Sequence, residues 1–290
     1  MGSVKAIFAY LLFALLAAAF FLVLLFPEQA VKAYIDGRLT AIDPSLTMTA
    51  ETIRPATLPP GLKMTGIDFI RDGIRLVHFN DARVSPDLMT LLGDSKQARF
   101  QARLADGTIN GRAVIQGTGP SERVRVEADL SQIRIEQLDR VKTNDRFTLS
   151  GTLGGHMKLD GNRSPKGGSS GSLTASELRI TLKAPFFGIA ELVMGQADAT
   201  FSVNRQNLRL QSLTFDGPMA EGKISGTIML KRPLGQSRLN LTGNVKPRPE
   251  LFARLQETIP KGFLNPRALG TRGLNFRVRG SIDDPDVSMR

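Results

Sequence analysis

The stretch ERVRVEADLSQIRIEQL, residues 122–138, decides the fold. Val124, Val126, Ala128 and Leu130 occupy alternate positions, with Arg123, Arg125, Glu127 and Asp129 between them. After Ser131 the pattern recurs with Ile133 and Ile135, interleaved with Arg134 and Glu136. A period of two is the mark of a strand with one wet face and one apolar face. Something must cover that apolar face, or it must be put to use.

Outward from this stretch the alternation repeats. Candidate strands lie at 64–69, at 74–79 with Asn80-Asp81 as its stop, and at 98–105 with Asp106-Gly107 as a hairpin turn. Residues 147–153 and 156–159 read as a pair around Gly154-Gly155, and RSPKGGSSGS, residues 163–172, has the composition of a flexible loop. Strands resume at 172–182, 188–194 and 197–203. Leu208 and Leu210 are followed by Leu213 and Phe215, a slip of one residue near Ser212 that predicts a bulge. Ile224 and Ile228 share a face, as do Leu239 and Leu241, and Phe276, Val278 and Ile282 close the chain. Helical signal is scarce: a turn at 86–92 and a better candidate at 249–259, stopped by Pro260.

Too few helices are present to cover so many half-apolar strands. The expected fold is all-β: an elongated, curved antiparallel sheet with one or two short helices, forming an open groove or a flattened barrel or sandwich. Val124, Val126, Ile133, Ile135, Leu208, Leu210, Ile224, Ile228, Leu239 and Leu241 are expected to line the groove, or to form the core if the sheet closes.

The N-terminus differs from the rest. Residues 6–26, AIFAYLLFALLAAAFFLVLLF, carry no charge and as a helix span about 30 Å, the thickness of a bilayer core. This predicts a transmembrane anchor, with Ile7, Leu12, Leu16, Phe20 and Leu24 against lipid. Lys5 precedes it, which leaves the N-terminus cytoplasmic. A cleaved signal peptide is the competing reading, but its apolar run is usually shorter, roughly 7 to 15 residues. The expected organisation is a stub and anchor over 1–26, a juxtamembrane helix over 27–45 that seals one end of the sheet, and a β-domain over 46–290.

Chemistry is hard to find. No Cys is present, which removes disulfides and thiolate sites. His78 and His156 sit in strands without metal-ligand spacing, and Asp283, Asp284 and Asp286 read as a turn. No nucleophile elbow or phosphate loop occurs. Neither an enzymatic activity nor a cofactor is expected. Net charge is +11, but the basic residues are dispersed along strands among acids, so no nucleic-acid partner is expected.

The C-terminal half, GKISGTIMLKRPLGQSRLNLTGNVKPRPELFARL at 222–255, resembles the protein N family of the type II secretion system. The N-terminal run FPEQAVKAYIDGRL fits the same architecture, and RVRGSIDDPDVSM at 277–289 is similar to the closing strand of AsmA-like proteins. The resemblance implies a bacterial inner-membrane protein, single-pass, with its bulk in the periplasm. It implies an accessory role beside other type II secretion subunits. The AsmA-like similarity implies instead a lipid-binding groove for phospholipid or lipopolysaccharide serving the outer membrane. Neither resemblance supplies catalytic residues.

Overall fold

The computed structural model describes residues 10, 13, 21, 25–117, 122–142, 147–162, 168–186, 189–249, 251 and 273–289. The fold is all-β and antiparallel, in two units, Met1–Pro86 and Asp87–Arg290.

The first unit holds helix α1 (Glu28–Ile42) and strands β1 (Leu46–Ala56), β2 (Gly61–Arg71) and β3 (Ile74–Pro86), paired in chain order. Ile53, Met64 and Ile67 are buried, and Phe26, Val31 and Ile35 pack against them. Phe69 and Phe79 meet edge to face, with ring centroids 5.9 Å apart. Helix α1 therefore packs on this sheet and runs along its edge strand, β1. Glu28 Oε1 accepts from the Ile53 N–H at 3.1 Å, Lys32 Nζ donates to the Glu51 carbonyl at 3.4 Å, and Asp36 Oδ1 accepts from the Met48 N–H at 3.4 Å. Residues 28, 32 and 36 form one helical stripe, so the free backbone groups of β1 are met by a polar row. At the far end of the helix Asp43 accepts from the Ser45 N–H at 3.1 Å, from its hydroxyl at 2.7 Å, and from Arg71 of β2.

The second unit is one open antiparallel ladder of eleven strands in chain order: β4 (Ser95–Leu104), β5 (Gly107–Gln116), β6 (Arg123–Arg134), β7 (Phe147–Asn162), β8 (Gly168–Phe186), β9 (Ile189–Asn204), β10 (Asn207–Asp216), β11 (Ala220–Met229), β12 (Arg238–Pro247), β13 (Leu274–Ser281) and β14 (Pro285–Met289). Among the described residues no pairing joins β14 back to β4, so the barrel alternative is overturned. The sandwich alternative fails too, since every strand of the unit belongs to one ladder.

Several punctuation readings are also corrected. Asn80-Asp81 does not stop β3, which runs on to Pro86. The β4–β5 hairpin turns on Ala105-Asp106, both at positive φ, and Gly107 is already in the strand. A Cβ at Gly107 would strike the Ile133 backbone, so this glycine serves close approach rather than turning. Gly154-Gly155 is not a turn: β7 continues through it as a single strand of 16 residues. Gly168–Ser172 of the supposed loop is strand, while 163–167 lies outside the described residues. Residues 188–194 and 197–203 merge into β9.

The bulge near Ser212 is present, as a register shift between Leu210 and Leu213. A second shift falls between Leu130 and Ile133, with Gln132 at positive φ. It keeps Ile133 on the face of Leu130, and Ile135 then sits in a 3-10 turn (Ile135–Gln137) rather than a strand. The expected turn at 86–92 is a 3-10 turn, Leu88–Thr90. Helix α2 (Asp139–Lys142) was not expected. Of the helix expected at 249–259, Pro249 and Leu251 are helical and the rest lies outside the described residues.

Candidate apolar face

Residues directly opposite in an antiparallel ladder point to the same side. Followed from strand to strand, the register of the second unit traces whole rows across the sheet. One reads Phe100, Gly111, Ala128, Met157, Gly171, Phe201, Leu210, Gly226, Leu241, Val278, Val287. The row on one side of it runs from Ala98 through Ala113, Val126, Leu159, Ser169, Val203, Leu208, Ile228 and Leu239 to Gly280 and Pro285. The row on the other side runs from Ala102 through Ile109, Leu130, Gly155, Leu173, Ala199, Leu213, Ile224 and Gly243 to Phe276 and Met289. Each row crosses all eleven strands, about 48 Å at the usual interstrand spacing. Ser169 is the one polar residue in the three.

Burial divides this face. A fourth row, Ile133, Leu153, Ala175, Ala197, Phe215, Gly222, Val245 and Leu274, lies along one margin. There Ile135, Val141, Met219 and Leu251 close over Ala175, Ala197 and Phe215, which are buried, as is Ile133. Away from that margin Val124, Val126, Leu208, Leu210, Ile228, Leu239 and Leu241 are only half-buried, and Ile224, half-buried too, packs against it. Leu159 stays 47% exposed and Val287 57%. The ten residues singled out in the sequence thus fall on one face, with Ile133 and Ile135 in a dry margin, Ile224 packed against that margin and the other seven in the open part.

The phenylalanines contribute to the relief of this face. Phe100 stands opposite Gly111, Phe201 opposite Gly171, Phe215 opposite Gly222 and Phe276 opposite Gly243. In each pair the ring takes the space that a Cβ on the glycine would need. The rings lie down across the neighbouring strand instead of standing up into a core. The sequence carries this signal, since each Phe has a Gly at its partner position, but only a known register reveals it.

The opposite face is charged, and several of its arginines are paired with carboxylates. Arg112 Nη2 lies 3.0 Å from Glu127, Lys158 Nζ 3.6 Å from the same carboxylate, Arg125 Nε 2.9 Å from Asp160 and Arg179 Nη1 2.6 Å from Glu191. The Arg112 hydrogen bond, helped by Lys158, holds the Glu127 carboxyl below its ordinary range. His156 Nδ1 pairs with Asp129 and His78 Nδ1 with Asp68, both at 2.7 Å, as side-chain partners on strands. Among the described residues no group of acidic and histidine side chains could hold a metal ion.

Ile7, Leu12, Leu16, Phe20 and Leu24, expected to form an anchor, lie outside the described residues. Among the described residues no helix is long and apolar enough to cross a membrane. Tyr10, Phe13 and Phe21 of that segment are helical and exposed. No protein-family model, curated protein or solved structure matches this chain.

Proposed function

We propose that the chain is a non-enzymatic component of the bacterial inner membrane, accessory to type II protein secretion, whose periplasmic sheet works by holding the acyl chains of a phospholipid or lipopolysaccharide. The observation that carries the lipid part is the set of three apolar rows, continuous over eleven strands and half-exposed away from one margin. Each methylene moved from water onto such a surface is worth about 0.8 kcal/mol. A chain of about 16 carbons therefore recovers on the order of 12 kcal/mol, close to what it loses on leaving a bilayer. The resemblance to AsmA-like proteins supports the same reading. The uncharged run 6–26 supports a membrane tether, and Tyr10, Phe13 and Phe21 within it are helical with exposed side chains.

A second reading gives the β-domain a scaffold role, recruiting other secretion subunits by strand addition. One observation favours it: β14, the last strand of the ladder, is exposed at all five residues. Native mass spectrometry of full-length protein in a gentle neutral detergent tests the pair. Co-purifying lipid that is lost on Ile228→Lys with Leu241→Lys supports the trough. Lipid-free protein that captures secretion subunits, and loses them on a Val287→Pro change in β14, supports the scaffold and removes the trough.

A further inference from the structure

We propose that the charged side of the β12–β13 hairpin pair carries a binding site for a phosphate-type oxyanion. The site does not depend on the acyl-chain reading, because it lies on the other face of the sheet. Arg238 stands opposite Ser281, Asn240 opposite Arg279 and Thr242 opposite Arg277. All six point away from Leu239, Leu241 and Val278. They bring three guanidinium groups onto two neighbouring strands, within the reach of direct and diagonal cross-strand pairs.

Like charges so placed repel one another unless something sits between them. Elsewhere on this face several arginines have such a partner: Glu127 for Arg112, Asp160 for Arg125, Glu191 for Arg179 and Asp216 for Arg248. Here no carboxylate of the described residues forms an ion pair with Arg238, Arg277 or Arg279. Asp286 is opposite Arg279 in the β13–β14 register without bonding to it, and Asp283 and Asp284 belong to the following turn. The carboxamide of Asn240 takes one bond, from Arg277 Nη2 at 3.1 Å. Arg277 Nε is buried and has no acceptor at all, a costly state for a charged donor.

The surface between these side chains is concave. Gln236, Arg238, Asn240, Arg277, Arg279 and Ser281, together with Leu239 and Gly280, line a shallow cleft of about 490 Å³. Forked guanidinium donors with amide and hydroxyl groups beside them match a tetrahedral oxyanion, which accepts at several oxygens at once. Phosphate is the shared chemistry, whether it is free or the headgroup of a lipid.

Full-length protein in neutral detergent is titrated with inorganic phosphate at constant ionic strength, and separately floated with vesicles of phosphatidylcholine alone or with phosphatidylglycerol. The variants are Arg277→Gln with Arg279→Gln, and Arg125→Gln as a control that removes a paired arginine from the same face. Saturable binding of inorganic phosphate, weakened about tenfold or more in the double variant but not in the control, supports the site with a free anion. Flotation that requires phosphatidylglycerol and is lost only in the double variant supports it with a headgroup. Absence of both, or equal loss in the control, overturns it. Circular dichroism of the double variant keeps misfolding from passing as lost binding.

Discussion

Phe215 of β10 and Gly222 of β11 face each other across one rung of the ladder, and the ring fills the place a side chain on Gly222 would take. Phe215 is buried, in the margin where the apolar face is dry. Replacing Gly222 by Val forces the ring up into the packing of Met219 and Leu251. Overpacking of this kind costs about 1 to 3 kcal/mol. Urea unfolding monitored by circular dichroism measures it, and a loss under about 0.5 kcal/mol would mean that the ring is not held there.

The open and dry parts of the molecule should respond differently to truncation. Ile53 is fully buried, so Ile53→Ala is expected to cost about 2 to 5 kcal/mol. Leu208 is half-buried on the open face, and Leu208→Ala should cost about 1 kcal/mol or less. Equal and large losses at both sites would point to a closed core and against a trough.

Charge on the open face should abolish acyl binding without unfolding the sheet. Ile228→Lys and Leu241→Lys place ammonium groups in two adjacent rows, where long side chains can still reach water. Displacement of a fluorescent fatty acid is expected to weaken tenfold or more while the far-ultraviolet spectrum is retained. Unchanged displacement by the double variant would remove these rows from the site.

Acid should loosen the helix–strand corner of the first unit. The Ser45 hydroxyl, followed by Arg71, holds the Asp43 carboxyl well below its ordinary value of 3.8. The folded value lies below the unfolded one, so the contribution is complete above about pH 3.8 and disappears as pH falls through the folded value. Asp43→Asn should therefore lower the thermal midpoint at pH 6 and narrow the gap to wild type towards pH 2. A constant gap across that range would show that the ionised carboxylate is not the source.

The all-β class and the apolar face were legible because a period of two survives in a single sequence. All ten positions picked from alternation share one side of the sheet, including Ile133, whose phase is restored by the bulge at Gln132. What was misread is glycine. Gly154-Gly155 and Gly107 look like turns in the sequence, yet all three lie in strands, and at Gly155 and Gly107 another strand passes too close for a Cβ. Local composition cannot separate a glycine that bends the chain from one that yields to a neighbour, because the neighbour is distant in sequence. The split between dry margin and open rows was hidden for the same reason. It depends on Ile135, Val141, Met219 and Leu251, which come from separate connections and meet only in the fold.

The polar stripe of α1 along β1 reaches beyond the stability of one copy. Edge strands invite their own kind, and fibres grow when the last strand of one molecule can dock on the first strand of the next. Glu28, Lys32 and Asp36 already answer the backbone at Ile53, Glu51 and Met48, so that acceptor is plugged. Copies crowded on a surface at high density can then touch without templating one another into filaments.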